Sequence, residues 1–280
     1  MQDFQGKVAV ITGGASGIGF ALAEKCVAEG MKVVLADVES GALEKAVQAL
    51  KEQGADVTGV KTDVSKSEQV EALADKAYEA YGEVHLLFNN AGVGGGGLTW
   101  EESLHDWEWV LGVDLWGVIY GVRSFVPRML KQNSEGHIVN TASMAGLVSP
   151  PAMGSYNVAK HGVLALSETL YQELALVGSK LKTSVLCPSW VNTRINESGR
   201  NRPGGENTEA LSQPSQMVQQ FVQQAVQSGI SANEVAEKVF EAIRTEKFYI
   251  LTHPDSKPAI KHQMDALLND RNPANLLGRS

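Results

Sequence analysis

The 280-residue sequence predicts an α/β protein: a single domain built on a doubly wound parallel sheet of about seven strands. Three observations predict it. Short β-branched runs alternate with helical patterns along most of the chain. The first of these, KVAVIT (7–12), is a short β-branched run, as expected of a strand covered on both faces. No internal repeat or low-complexity linker divides the chain, and its 43% hydrophobic content suffices for one large core. Such alternation implies right-handed crossovers, with helices on both faces of the sheet.

The elements follow in order. KVAVIT (7–12) is the first strand, and GIGFALAEKCVAEG (17–30) is a helix stopped by Gly30. KVVLAD (32–37) is the second strand and 40–53 the second helix. DVTGVKTD (56–63) is the third strand, followed by a helix at 67–81 and by VHLLFNN (84–90). A long helix is predicted over about 103–131. Then come GHIVNTAS (136–143), a helix at 154–178, KTSVLCP (182–188), a helix near 231–244 and FYILT (248–252). Two stretches fall outside the pattern. Residues 192–212 are polar, with two adjacent glycines, and begin a predicted mobile lid spanning 192–228; loops of this length in a compact domain are commonly functional. The tail, 253–280, is expected to form a short amphipathic helix and irregular chain that covers core or a subunit contact.

Composition excludes several classes. The formal net charge is −8 and no basic patch is evident, which argues against nucleic acid as a partner. No run reaches the roughly 18 apolar residues of a membrane span, and KVAVIT is too short for a signal sequence. The expectation is a cytoplasmic protein with a small-molecule substrate and no membrane partner. Cys26 and Cys187 form no C-x-x-C, and the six histidines show no H-E-x-x-H spacing, so neither a disulfide framework nor a metal site is predicted.

The chemistry-bearing motifs lie at strand ends. TGGASGIG (12–19) joins the first strand to the first helix, with Gly13, Gly17 and Gly19 spaced G-x-x-x-G-x-G. Glycine lets such a turn adopt positive φ and lets backbone approach a pyrophosphate, while the helix N-terminus presents N–H groups and partial positive charge. Residues 13–19, with Ser16 and Ile18, are therefore a candidate dinucleotide site of the Rossmann type. Asp37 ends the second strand, where a carboxylate meets the adenosine ribose and repels a 2′-phosphate. Two unit charges ~4 Å apart near a surface interact by roughly 4 kcal/mol, enough after screening for ~100-fold preference for NAD. No Arg or Lys at 15, 16 or 38 opposes it. Tyr156 and Lys160 stand four apart, on one face of a helix.

With NNAG (89–92) after the fourth strand, and Ser143 closing the fifth strand 13 residues before YNVAK, this set resembles the short-chain dehydrogenase/reductase family over residues 5 to about 252. The resemblance implies a catalytic Ser143, Tyr156 and Lys160, with Tyr156 and Lys160 also beside the cofactor. It implies that Asp63 and Val64 contact adenine, that Asn90 and Gly92 lie near the adenine ribose, and that Val191 and Thr193 contact the nicotinamide carboxamide. It also implies a homotetramer or homodimer, joined through the helices at about 103–131 and 154–178. Two positions depart from the family: Ser189 follows Pro188 where glycine is usual, and Asp114 stands where asparagine is usual. That asparagine is thought to hold, through its main-chain carbonyl, a water touching the lysine. An aspartate there would place a negative charge near Lys160 and, acting on the Tyr156 phenolate over ~7 Å, raise the tyrosine pKa.

Oxidising a secondary alcohol requires a base for the hydroxyl proton. Free tyrosine, with a pKa of about 10, is a poor base at neutral pH. A neighbouring ammonium such as Lys160 lowers it; ~3 units correspond to about 4 kcal/mol, within reach of close charges. Ser143 can donate to the substrate oxygen. Met144, Val148, Met153 and Trp190, with residues 93–98, are expected to border a pocket for a substrate with an apolar body. Arg194, Arg200 and Arg202 are expected to be solvated. The leading function is an NAD-dependent alcohol dehydrogenase or ketone reductase. A lyase or epimerase on the same fold, and a non-catalytic cofactor-binding protein, remain the alternatives; little room for a second domain speaks against the first, and the intact Ser143, Tyr156 and Lys160 against the second.

Overall fold

The computed structural model describes residues 1–205 and 211–273. Its centre is β1 (Val8–Thr12), five consecutive buried residues that nothing but a doubly covered strand accommodates. Around it lie β2 (Lys32–Asp37), β3 (Val57–Lys61), β4 (Leu86–Asn89), β5 (Gly136–Thr141), β6 (Leu181–Cys187) and β7 (Tyr249–Leu251). All pair in parallel, in the order β3-β2-β1-β4-β5-β6-β7. The order reverses between β1 and β4, so a crevice opens at their C-terminal ends.

Helices cover both faces. α1 (Gly17–Ala28), α2 (Ser40–Glu52) and α8 (Ala232–Arg244) cover one, where Leu22, Leu43 and Phe240 meet Ile11, Leu35 and Phe88. α3 (Ser67–Tyr81), α5 (Gly117–Gln132) and α6 (Gly154–Leu176) cover the other, where Leu73, Phe125 and Leu170 meet Val10, Val34 and Ile138. Adjacent strand residues thus serve opposite cores, the period of two that a pleated strand imposes.

Three expectations are corrected. The long helix is not continuous: α4 (Leu104–Leu111), opened by a Ser103–Asp106 capping box, passes through a π-helical turn at Gly112–Trp116 before α5 begins. One extra residue per turn there re-aims Asp114, and single π turns recur at functional sites. Taken together, Leu104–Gln132 is long enough to cross a membrane, and an 18-residue window within it reaches mean hydropathy 1.3, contrary to the expectation that no such run exists. Its face carrying Val118, Phe125 and Met129 is buried in the core. Finally, 192–212 is not all loop. A 3-10 helix spans Ile195–Asn201, and α7 (Gln213–Gln227) follows, capped by Ser212. The apolar i, i+4 series Val218, Val222 and Val226 lies within a glutamine-rich run that masks it in the sequence. Residues 206–210 of the expected lid lie outside the described residues. In the tail, α9 (Lys257–Leu268) is the expected helix, and 274–280 lie outside the described residues.

Candidate active site

Every strand from β1 to β6 delivers residues to one groove at the C-terminal edge of the sheet. Gly13 and Gly17 have φ of 62° and 53°, and a Cβ on Gly13 would stand 2.8 Å from Ala91 Cα. Only glycine fits that turn. The first turn of α1 has no side-chain cap and no acidic residue, so its N–H groups are left for an anion. These features fit a dinucleotide pyrophosphate.

Asp37 lies at the groove with one carboxylate oxygen 3.1 Å from the Ala15 N–H and the other 3.0 Å from the Glu39 N–H, accepting from both. Asp63 and Val64, after β3, line the same groove, as do Ser16, Ile18, Gly92 and Thr193. Asn90 also lines it, but its amide nitrogen donates to the carbonyl oxygen of Thr12 at 3.0 Å, fastening the end of β4 to β1. Gly19 sits behind the loop, where a Cβ would be 2.1 Å from the Gly13 carbonyl oxygen; Val191 is buried, bridged to Ile230.

Ser143 lies two residues past β5, capping a 3-10 turn at Met144–Gly146, and Tyr156 and Lys160 lie one turn apart on α6; all three are buried. Lys160 Nζ donates to the Thr141 carbonyl at 3.1 Å and stands 5.4 Å from the centre of the Tyr156 ring. Burial pushes the Tyr156 phenol above its ordinary pKa; the Lys160 ammonium pulls it down, Asp114 pushes it up, and a hydrogen bond with Ser143 pulls it down. Burial alone would lower Lys160, but Asp114 and Tyr156 hold it above the usual lysine range.

Asp114 requires a second correction. Its carboxylate is fully buried and lies 3.1 Å from Lys160 Nζ, a direct ion pair where only a nearby charge and a water-mediated contact were expected. Its other oxygen accepts from the Val93 N–H at 2.8 Å. Burial raises its pKa, and Lys160 then Val93 oppose the rise. Asp114 lies within the π turn, and its side chain reaches the lysine.

Residues 193–203 roof the groove; Arg194 is exposed as expected, whereas Arg200 and Arg202 are partly covered and paired. Arg200 donates to the Glu39 carboxylate at 2.7 and 3.0 Å, with Asn201 adding a third bond to the same oxygen at 2.9 Å. Arg202 pairs with Asp106 at 2.7 Å, and the exposed Arg194 pairs with Glu197. Ser198 Oγ accepts from the Gly94 N–H at 2.8 Å. Glu39 is held below the usual carboxylate range by Arg200.

Of the expected substrate-pocket residues, Met144 is buried and Val148 half-buried. Met153 packs in the cluster of Tyr156, Val93 and Val110, and Trp190 meets Phe221 of α7 edge-on at 5.9 Å. None of the four lines the groove; Val93, Trp109 and Val113 do. Trp109 was legible only as the residue one turn before Val113 on the same face of the long helix.

A family model described as short chain dehydrogenase matches residues 7–203. A short-chain dehydrogenase/reductase from Burkholderia phymatum, solved in complex with NAD, is 51% identical, with a TM-score of 0.97 and 100% of each chain covered. A CLA biosynthesis dehydrogenase/reductase from Lactiplantibacillus plantarum is 34% identical over 277 residues, 98% of this chain and 97% of that one. A 1-deoxy-11-beta-hydroxypentalenate dehydrogenase from Streptomyces exfoliatus is 34% identical over 263 residues, 93% of this chain and 88% of that one. With its Ser143, Tyr156 and Lys160 gathered at the end of a glycine-lined groove, the chain belongs to the short-chain dehydrogenase/reductase family of oxidoreductases.

Proposed function

We propose that the protein is an NAD-dependent oxidoreductase that interconverts a secondary alcohol and a ketone on a substrate with an apolar body. The observation that carries this reading is the buried Tyr156, with Lys160 and Ser143 beside it, at the inner end of the groove. Asp37 at the groove and the NAD held by the 51%-identical relative support NAD as the cofactor. The hydroxypentalenate dehydrogenase relative supports a hydroxyl as the reacting group. Val93, Trp109 and Val113 supply an apolar wall.

In alcohol oxidation, Tyr156 takes the hydroxyl proton as a phenolate, which the Lys160 ammonium stabilises. Ser143 donates to the substrate oxygen and holds it at the phenol. The bound dinucleotide supplies the hydride acceptor. In the reverse direction Tyr156 returns the proton to the carbonyl oxygen. The roof over the groove excludes water, which strengthens each of these charge interactions. Absorbance at 340 nm, with NAD or NADP and a panel of secondary alcohols of increasing apolar size, tests the reading. Turnover with NAD that improves with apolar bulk is expected. Stoichiometric NAD binding without turnover of any alcohol or ketone would instead make it a cofactor-binding protein.

A further inference from the structure

Two adjacent carboxylates outside the groove each hold the start of a different helix. Glu102 accepts from the Ser155 N–H at 3.0 Å and from Ser155 Oγ at 2.7 Å. Ser155 is fully buried and immediately precedes Tyr156, in the first turn of α6. Glu101 accepts from Ser212 Oγ at 2.9 Å and from Ser215 Oγ at 2.8 Å, in the cap and first turn of α7. The short segment bearing both glutamates is stitched to the same two places through its backbone. The Gly97 N–H donates to the Ala152 carbonyl at 3.0 Å, and the Leu98 N–H donates to Ser215 Oγ at 3.0 Å.

Ala152 itself sits in the left-handed region, with φ of 56°. An alanine persists there only when its surroundings over-determine it. The chain entering α6 is thus held against its own preference, and the contacts that hold it include the Gly97 bond. Ser215, though polar, is 1% exposed, and its hydroxyl donates to Glu101 while accepting from the Leu98 N–H and from Ser212 Oγ at 3.2 Å.

We propose that Glu101 and Glu102 are a pair of positioning residues that divide one task between two helices. Glu102 fixes the first turn of α6 and so the place of the Tyr156 phenol; Glu101 fixes α7 beside the roofed groove and so the fit of the substrate. Neither touches the groove, and each acts through a serine.

The kinetic arm of the test rests on the alcohol–ketone reading; a second arm, amide hydrogen exchange, does not. Glu102→Gln keeps size but turns an N–H donor toward a serine that needs acceptors. It is expected to lower kcat by about tenfold or more, as small displacements of a catalytic group do, with KM changed less than about twofold. Glu101→Gln is expected to raise KM several-fold and leave kcat within about twofold. Ser155→Ala, which removes one of the two bonds, should lower kcat by less than Glu102→Gln. In exchange, Glu102→Gln should speed deuterium uptake over 153–160 and leave 212–220 unchanged, and Glu101→Gln should do the reverse. A wild type that oxidises no alcohol would refute the functional reading, while exchange alone would still decide the pairing. Exchange that loosens both segments equally in either variant, or in neither, would overturn the proposal. So would an active enzyme in which both variants change kcat and KM alike.

Discussion

The ion pair of Asp114 with Lys160 predicts a specific change in the pH dependence of catalysis. Asp114→Asn keeps the size of the side chain and an acceptor for the Val93 N–H while removing the charge. The Asp114 carboxylate oxygen is 3.1 Å from Lys160 Nζ, which is 5.4 Å from the Tyr156 ring centre, so the carboxylate and ring centre lie within about 8.5 Å (3.1 plus 5.4). At an effective dielectric of 20, a charge at about that distance raises the phenol's ionisation energy by about 1.5–2 kcal/mol, between one and two pK units. Removing it should move the acid limb of kcat/KM for alcohol oxidation down in pH by about that amount. The alkaline side should move too. Asp114 holds the Lys160 pKa up, so the ammonium is present below that pKa and lost as pH rises through it. Without Asp114 the loss comes earlier, so both limbs move down and the optimum shifts to lower pH. The variant should also be less stable, by on the order of 3 kcal/mol, because a buried ammonium loses its partner. Asp114→Ala, which strands the Val93 N–H as well, should be worse. The assay is kcat/KM for alcohol oxidation across pH, with saturating cofactor. An acid limb that stays in place or moves up would refute the coupling.

Three further outcomes are expected. NAD should exceed NADP in kcat/KM, and Asp37→Ser should narrow the gap; equal values in the wild type would remove Asp37 from the role given it. Glu39→Gln should weaken the roof's attachment through Arg200 and Asn201 and speed NADH release a few-fold, consistent with a partly exposed pair worth about 1 kcal/mol, as followed by stopped-flow fluorescence. Because Arg200 holds the Glu39 pKa down, that attachment is present above the usual carboxylate range and fails as pH falls through the lowered value, so release in the wild type should quicken only in acid. We expect a homotetramer: Trp116, Tyr171 and Leu176, on and beside α5 and α6, leave large apolar surface exposed, and a light-scattering mass near 30 kDa at micromolar concentration would exclude it.

Much of this was legible in the sequence, and the reasons differ by element. β1 and β2 were read within a residue because buried parallel strands are uninterrupted apolar runs bounded by glycine or aspartate. The glycine loop announced itself because backbone geometry there excludes any side chain. The identity of Asp114 was visible, and so was its nearness to Lys160, but not the contact. A π turn depends on one extra residue accommodated in a helix, and no periodicity in VLGVDLWGVIYG marks it. α7 escaped notice because glutamines dilute its apolar stripe. The arginine pairs escaped because they join residues such as Glu39 and Arg200, 161 apart, and sequence spacing reports only neighbours along one element. Glu101 and Glu102 drew no expectation for the same reason: their partners lie 53 to 114 residues away.

The central claim is that Tyr156 carries the proton in an NAD-dependent alcohol–ketone conversion, and Tyr156→Phe tests it most directly. The ring is buried and keeps its packing, so only the hydroxyl is lost. Turnover with the best alcohol of the panel, followed at 340 nm, should fall to below about a hundredth of wild type, the low end of what general acid–base catalysis contributes. NADH affinity, measured by fluorescence titration on the same preparation, should stay within a few-fold. A variant that keeps more than about a tenth of the rate with intact cofactor binding would contradict the account, because another group would then have to take the proton.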